Sequence, residues 1–394
     1  MKITELIATP VACPDQPLRN CSGVHPTHFV RTIVQLKTDE GLVGLGEVGG
    51  DVAAALAEFE GRIVGMDPFQ IERLRREIRI PNLVAAVEVA CFDLMGQATG
   101  RPVCDLLGGR YRDPVPYSAY LFYKFADEEG RGEVCPGEVL TPEAMVQEAH
   151  EFVKKYGFRT LKLKGGVLPP DLEIETFHLL RQEFGEEYEL RLDPNAIWSV
   201  ETSIRVAQAL AEDRPEYLED PTEGIEGMAE VRRNTDIPLS TNMCVTRFEH
   251  LPEALEKWPV DVILCDHHAG WGGLLGCKEL GAICRTFGLG LSMHSNNHLG
   301  ISMAAMTHLA AALPELNYAA DTHYPWTEED LIVGGKLSFQ DGAMAVPQGP
   351  GLGVRLDEDQ LARFAETYLR EEIGDRAEMM QAAEPEWPFP RPRW

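Results

Sequence analysis

Apolar and polar residues alternate along 3–12 and 28–48, a period-two pattern that predicts strands. Asp39-Glu40-Gly41 interrupts the second run and reads as a hairpin turn between 32–38 and 42–48. Periodicity then lengthens. Residues 52–64 and 68–79 read as helices, and Asn82 can cap a third that runs to Thr99 and ends at Gly100. Residues 1–113 are therefore expected to form an α+β unit. The stretch 126–140 is poor in apolar residues and reads as a surface loop.

From Val115 onward short apolar runs alternate with helix-length amphipathic segments. Strands are predicted at 116–121, 160–164, 189–193, 216–219, 238–242, 261–266, 288–294 and 316–321. Between them the helical pattern covers 142–156, 171–184, 200–212, 227–234, 249–258, 273–287 and 300–312. Eight strands and seven helices in strict alternation predict a (β/α)7β barrel over 114–329, a modified TIM barrel of the α/β class. Apolar alternation returns over 335–346, followed by a helix near 357–370 and a Pro- and Trp-rich tail. Residues 330–394 are expected to fold back on the N-terminal unit and complete a capping domain.

The candidate chemistry lies at the ends of the strands. Lys164, Asp193, Glu219, Asn242, Asp266, His294 and Asp321 follow one another at 29, 26, 23, 24, 28 and 27 residues, about one strand–helix unit each. In a barrel this spacing gathers them on the C-terminal rim, where barrel active sites lie. Asp193, Glu219 and Asn242 are oxygen donors from neighbouring strands and suit a hard cation such as Mg²⁺, with Glu223 and Glu226 as competitors for the second position. Lys164 and His294 would face each other across the rim, and Asp266 could hold the imidazole. Lys162 lies two residues before Lys164, on the same face of its strand, where two cations need an anion between them. Two bases beside a metal-bound carboxylate could remove a proton from either face of an α-carbon, with Lys162 and the metal stabilising the enediolate.

Composition narrows the partners. At 394 residues, with 44% hydrophobic and 25% charged residues, the chain has the make-up of a soluble globular protein. A formal charge of −27 argues against nucleic acid or an anionic membrane as the main partner. The nine cysteines are scattered, without a CxxC pair, as in a reduced intracellular protein. The first residues lack a signal-peptide pattern, and no run approaches a membrane span, so the cytoplasm is the expected location. Two other motifs admit different readings. Gly44-Leu45-Gly46-Glu47-Val48-Gly49 fits GxGxxG but lies inside a hairpin strand rather than opening a helix, which argues against a dinucleotide site. Asp266, His267, His268, His294 and His298 could serve zinc, yet they lack the HExxH arrangement.

The motifs Leu161-Lys162-Leu163-Lys164-Gly165-Gly166, Leu192-Asp193-Pro194-Asn195, Glu219-Asp220-Pro221, Thr241-Asn242-Met243, His294-Ser295-Asn296-Asn297-His298 and Asp321-Thr322-His323 together resemble the enolase superfamily. Within its mandelate-racemase-like group they are most similar to the glucarate dehydratase branch, where Asn at 242 replaces an acidic residue. The resemblance implies Lys164 and His294 as opposed acid/base groups, Lys162 as electrophile, Asp266 as the partner of His294, and Mg²⁺ on Asp193, Glu219 and Asn242. It puts His25, Tyr120, Asn195, Asn242, Ser295, Asn296, His323 and Arg376 around the substrate. The implied reaction is dehydration of an aldarate to a keto-deoxy acid. Epimerisation or racemisation of a hydroxy acid is the alternative that the same two bases would serve. The loops after Tyr120 and Pro221 are shorter than in that branch, and the segment near Arg79-Ile80-Pro81 lacks its threonine, which leaves the identity of the sugar open. A small acid-sugar partner and a homo-oligomer are expected.

Overall fold

The computed structural model describes residues 1–126 and 137–371. Most of the 126–140 loop and Arg376 therefore lie outside the described residues. Strands Ile3–Pro14, His28–Thr38 and Val43–Gly49 form a three-stranded antiparallel sheet with the long middle strand at its centre. Helix Pro81–Thr99 lies against this sheet. It starts one residue before Asn82, with Pro81 in the first turn, where its missing N–H costs nothing, and it stops at Gly100 in the left-handed region. Gly44 and Gly46 explain the GxGxxG spacing by packing. A Cβ at either would sit 2.1 Å from the carbonyl oxygen of Ala90 or Ala86, so the bare backbone is what lets helix and strand touch. The helix expected over 52–64 is instead two short pieces, Ala53–Ala57 and Glu60–Ile63.

The barrel strands, in order, are Val115–Phe122, Thr160–Lys164, Glu189–Asp193, Tyr217–Glu219, Leu239–Thr241, Val262–Cys265, Gly290–Met293 and Ala320–Thr322. They run parallel, each beside its sequence neighbour, and the eighth pairs with the first. The seam between the seventh and eighth is thin, with one bridge between Leu291 and Leu316 and a hydrogen bond from Asn317 N–H to Leu291 O. The result is a near-closed (β/α)7β barrel under an α+β cap. The alternation over 335–346 does not become a cap strand. Gly334 and Gly335 adopt positive φ, and only Ala343–Met344 pairs, antiparallel, with the first barrel strand. Helix Glu358–Arg370 does return to the cap, against Ile3–Pro14. The eight described cysteines are free thiols, and no helix among the described residues is long and apolar enough to cross a membrane.

Acids from outside the barrel complete the first turns of its last two long helices. Glu47, on the third cap strand, accepts from the N–H groups of Leu299 (2.9 Å) and Ser302 (2.8 Å), and Asp330 accepts from Gly300 (2.9 Å), all at helix Gly300–Ala311. Glu88, on Pro81–Thr99, accepts from Leu274 N–H at the start of helix Gly273–Phe287. Each uses the unpaired amides and positive end of a helix. Burial pushes the Glu88 carboxyl up to about 8, against the hydrogen bonds it accepts. The folded chain thus keeps a proton that the unfolded chain, at the ordinary 4.5, releases. Stability from this group is complete below about pH 4.5 and is lost as pH rises through 8. Urea unfolding at pH 5 and at pH 8.5 should show Glu88→Gln gaining on the wild type at the higher pH.

Candidate active site

The strand Thr160–Lys164 is buried along its whole length. Its lysines point into the barrel, and their neighbours in register are Tyr120 and Phe122 on one side and Arg191 and Asp193 on the other. Lys162 has no solvent exposure. Its Nζ donates to Glu219 Oε2 (2.6 Å) and Asp321 Oδ2 (2.6 Å), with Asp193 Oδ2 at 3.3 Å. Burial disfavours its charge, but these three carboxylates outweigh that and hold the ammonium well above the usual lysine range. Lys164 Nζ contacts Asp193 Oδ2, and both ammonium groups lie over the Tyr120 ring, 5.0 and 5.2 Å from its centroid.

Asp193, Glu219 and Asn242 come together as the strand order requires. Asn242 Nδ2 is 2.5 Å from Glu219 Oε1. Asp220 shapes this end of the barrel by accepting from Thr241 Oγ1 (2.5 Å), Asn242 N (2.7 Å) and Met243 N (3.0 Å). Burial opposes the charge of Asp193, yet Lys164 and Lys162 hold its carboxyl below the ordinary range. Glu219 goes the other way: burial, with Asp193 and Asp321 close by, pushes it well above, despite Lys162. Its carboxylate is short of positive charge. Two carboxylates and an amide oxygen on successive strands, one of them undercompensated, fit a hard divalent cation. Glu223 and Glu226 are exposed, Glu226 paired with Lys257, whereas Glu219 is buried beside Asn242.

On the far side of the mouth, His294 Nδ1 lies 3.1 Å from Asp266 Oδ2. A carboxylate only accepts, so the proton sits on Nδ1 and Nε2 is the free basic nitrogen. Asp266 is buried, which disfavours its charge. The hydrogen bond from His294 nevertheless keeps it below the usual range. Tyr120 OH donates to Ser295 O (2.9 Å), tying the first strand to the loop after the seventh. His25 stacks on His323 at 5.7 Å, and Phe122 packs edge-on to both, forming an aromatic wall beside Tyr120. Asp15 Oδ2 is 3.1 Å from His25 Nδ1. Asn195, with φ 53, gives its N–H to Asp193 Oδ1 (2.9 Å). Asn296 turns its side chain to Arg31 of the cap.

Residues 144–360 match the family model for enolase C-terminal domain-like proteins, and residues 3–108 match that for the mandelate racemase / muconate lactonizing enzyme N-terminal domain. The chain belongs to the enolase superfamily. Among its relatives, a probable glucarate dehydratase of Streptomyces coelicolor is 44% identical over 432 residues, covering 100% of this chain and 99% of that protein. An enolase from Thermobispora bispora, crystallised with magnesium and formate, superposes with a TM-score of 0.94 at 48% identity, covering 100% of this chain and 99% of that one. Another, from Pseudomonas fluorescens with magnesium, potassium and tartrate, gives 0.93 at 42% identity over 100% and 99%.

Two contributors to this enolase-superfamily site escaped the sequence reading although a signal for them existed. Arg191 sits in Leu190-Arg191-Leu192-Asp193, where the alternation that turns Lys162 inward also turns Arg191 inward. Its Nη1 donates to Asp321 Oδ1 (2.9 Å). Asp321 stood on the ladder of strand ends without a role, and it is the carboxylate that joins Lys162 to Arg191. Arg31 and Glu47 of the cap carried no such signal. Asp266, His268 and His298 do converge, with ligand atoms within 4.8 Å of one another, but the two imidazoles hydrogen-bond each other (3.1 Å), so protons rather than a metal satisfy them.

Proposed function

We propose that this enolase-superfamily protein is a Mg²⁺-dependent hydro-lyase acting on an acid sugar, an aldarate of the glucarate class. The observation that carries this reading is the placement of two different bases. Lys164, at the end of the second strand beside Asp193, and His294, directly after the seventh and held by Asp266, both stand at the C-terminal ends of strands of one barrel. The likeness to a probable glucarate dehydratase supports the substrate class, and the magnesium in the two crystallised relatives supports the metal.

In this reading Asp193, Glu219 and Asn242 hold Mg²⁺, which when bound supplies a positive charge for the carboxylate of the substrate. Lys162 adds a second, fixed charge beside it, and both are in place before the reaction starts. Lys164 Nζ, after giving up one proton to become the neutral amine, or His294 Nε2, depending on the configuration at the α-carbon, takes the α-proton. The electron pair of that C–H bond becomes the enediolate. As it returns, the β-carbon–oxygen bond breaks, and a protonated His294 gives the departing hydroxyl its proton, so that water leaves. The resulting enol takes a proton at carbon, loses its hydroxyl proton and becomes a keto-deoxy acid. Tyr120, Phe122, His25 and His323 supply an aromatic wall, and Asn195, Ser295 and Asn296 supply polar partners for hydroxyl groups.

A panel of four- to six-carbon acid sugars, incubated with enzyme and Mg²⁺ and assayed for 2-keto acid, tests the reading directly. One or a few diacids should give keto acid, and chelation should stop it. Formation of an epimer without keto acid would replace dehydration by epimerisation. Silence from every acid sugar with Mg²⁺ present would remove the class.

A further inference from the structure

We propose that Arg31, on the second cap strand, is the positioning residue that sets the direction of the hydrogen bonds in the loop 294–298, so that Asn296 offers N–H donors and Ser295 offers an acceptor to the substrate. The proposal rests on the reading of this loop as part of an acid-sugar site.

Arg31 is almost fully buried. Its Nε donates to Glu47 Oε1 (2.8 Å) and its Nη1 to Asn296 Oδ1 (3.1 Å), while Nη2 reaches Ser302 Oγ (3.3 Å) and His268 Nδ1 (3.4 Å). A guanidinium has five N–H donors and no acceptor, so each atom it faces must accept. Asn296 must therefore turn its oxygen to Arg31, leaving its NH₂ directed away, and His268 Nδ1 must be bare. Burial first, then the neighbouring His267, His298 and Arg31, hold the His268 ring well below the usual imidazole range, so it is neutral and its proton is on Nε2. That proton goes to Ser302 Oγ at 2.9 Å.

The order then passes to the next ring. The single lone pair of His268 Nδ1, which Arg31 shares at 3.4 Å, also faces His298 Nε2 at 3.1 Å, so Nε2 of His298 must be a donor. Burial and the Arg31 charge keep His298 neutral as well, against the pull of Asp266. Its Nδ1 is thus bare and lies 3.2 Å from Ser295 Oγ. The hydroxyl proton of Ser295 has two takers, His298 Nδ1 and Asn296 O (3.2 Å), and both belong to the protein. Only lone pairs remain for a ligand. Glu47 offsets the charge of Arg31 and also binds the amides of Leu299 and Ser302, so cation and loop are fixed to the same helix start. Donors at 296 and an acceptor at 295 match a molecule that carries both carboxylate oxygens and hydroxyl groups.

The test uses the full-length protein with ¹⁵N-labelled histidine and Mg²⁺, its imidazole signals assigned by single His→Gln variants. His268 and His298 should both appear as neutral Nε2–H tautomers from pH 5.5 to 8. A proton on Nδ1 of His268, or protonation of either ring in that range, overturns the proposal, and this needs only the wild type. Arg31→Lys keeps the charge and removes the fork. It should mix the His268 tautomers and raise KM for the best acid sugar about tenfold, with kcat changing far less. Unchanged tautomers and unchanged KM would likewise overturn it. The imidazole measurement needs no substrate, so failure of the acid-sugar reading and failure of the Arg31 reading remain distinct results.

Discussion

Lys164→Ala and His294→Asn should each lose turnover by about 10²–10⁴-fold, with folding retained. The two losses should separate by stereochemistry. Exchange of the α-proton in D₂O should disappear in Lys164→Ala for one epimer of the substrate and in His294→Asn for the other. The geometry behind this is asymmetric. Lys164 reaches the mouth with its ammonium on Asp193, whereas His294 is oriented from behind by Asp266 and keeps partial contact with solvent. Asp266→Asn keeps the shape but can offer His294 Nδ1 either its oxygen or its NH₂, so Nε2 is no longer assured as the base. Its phenotype should follow His294→Asn. If either Lys164→Ala or His294→Asn exchanges both epimers at the wild-type rate, the two-base assignment fails.

Lys162→Met should cost more than catalysis. Among the described residues the ammonium is the one charge within 3.3 Å shared by Asp193, Glu219 and Asp321, and all three carboxylates are fully buried. Removing one partner of such a set leaves buried charge uncompensated, at a cost of about 3–5 kcal/mol. Arg191 still neutralises Asp321 and Lys164 still pairs with Asp193, so the deficit falls on Glu219, one of the residues proposed to hold Mg²⁺. The variant should melt well below the wild type in chelator and recover a larger part of the loss than the wild type gains when Mg²⁺ is added. Calorimetry with and without Mg²⁺ measures this. Equal metal-induced shifts in the two proteins would place the cation elsewhere.

The sequence made the barrel legible because its two periods are clean. Thr160–Lys164, Glu189–Asp193 and the helices Pro142–Tyr156 and Gly273–Phe287 fall on the residues that alternation and capping predict. The later strands are shorter than expected: 238–242 contracts to Leu239–Thr241, because Asn242 leaves the ladder to be held by Asp220. The rim trio could be read from spacing alone, since Asp193 and Glu219 end their strands and Asn242 directly follows one. What could not be read were contacts between distant segments with no shared period. Arg31 and Glu47 look like ordinary residues of a cap strand, and only the folded chain brings them to 296 and 299. In the segment 335–346 the alternation was present, but Gly334 and Gly335 take positive φ at its start and its short strand pairs with the barrel.

The acids at the helix starts bear on the order in which the chain can be completed. Glu47 and Glu88 reach amides 252 and 186 residues further along. As the polypeptide leaves the ribosome, the sheet and long helix that carry them are made first. The final third of the barrel is made last, and the two helices it contributes find their terminal partners already waiting on that earlier surface. The cap is thus a template for closing the barrel as well as its lid. A barrel excised without residues 1–113 would start helix Gly273–Phe287 without Glu88 and leave helix Gly300–Ala311 with Asp330 in place of the pair of acids.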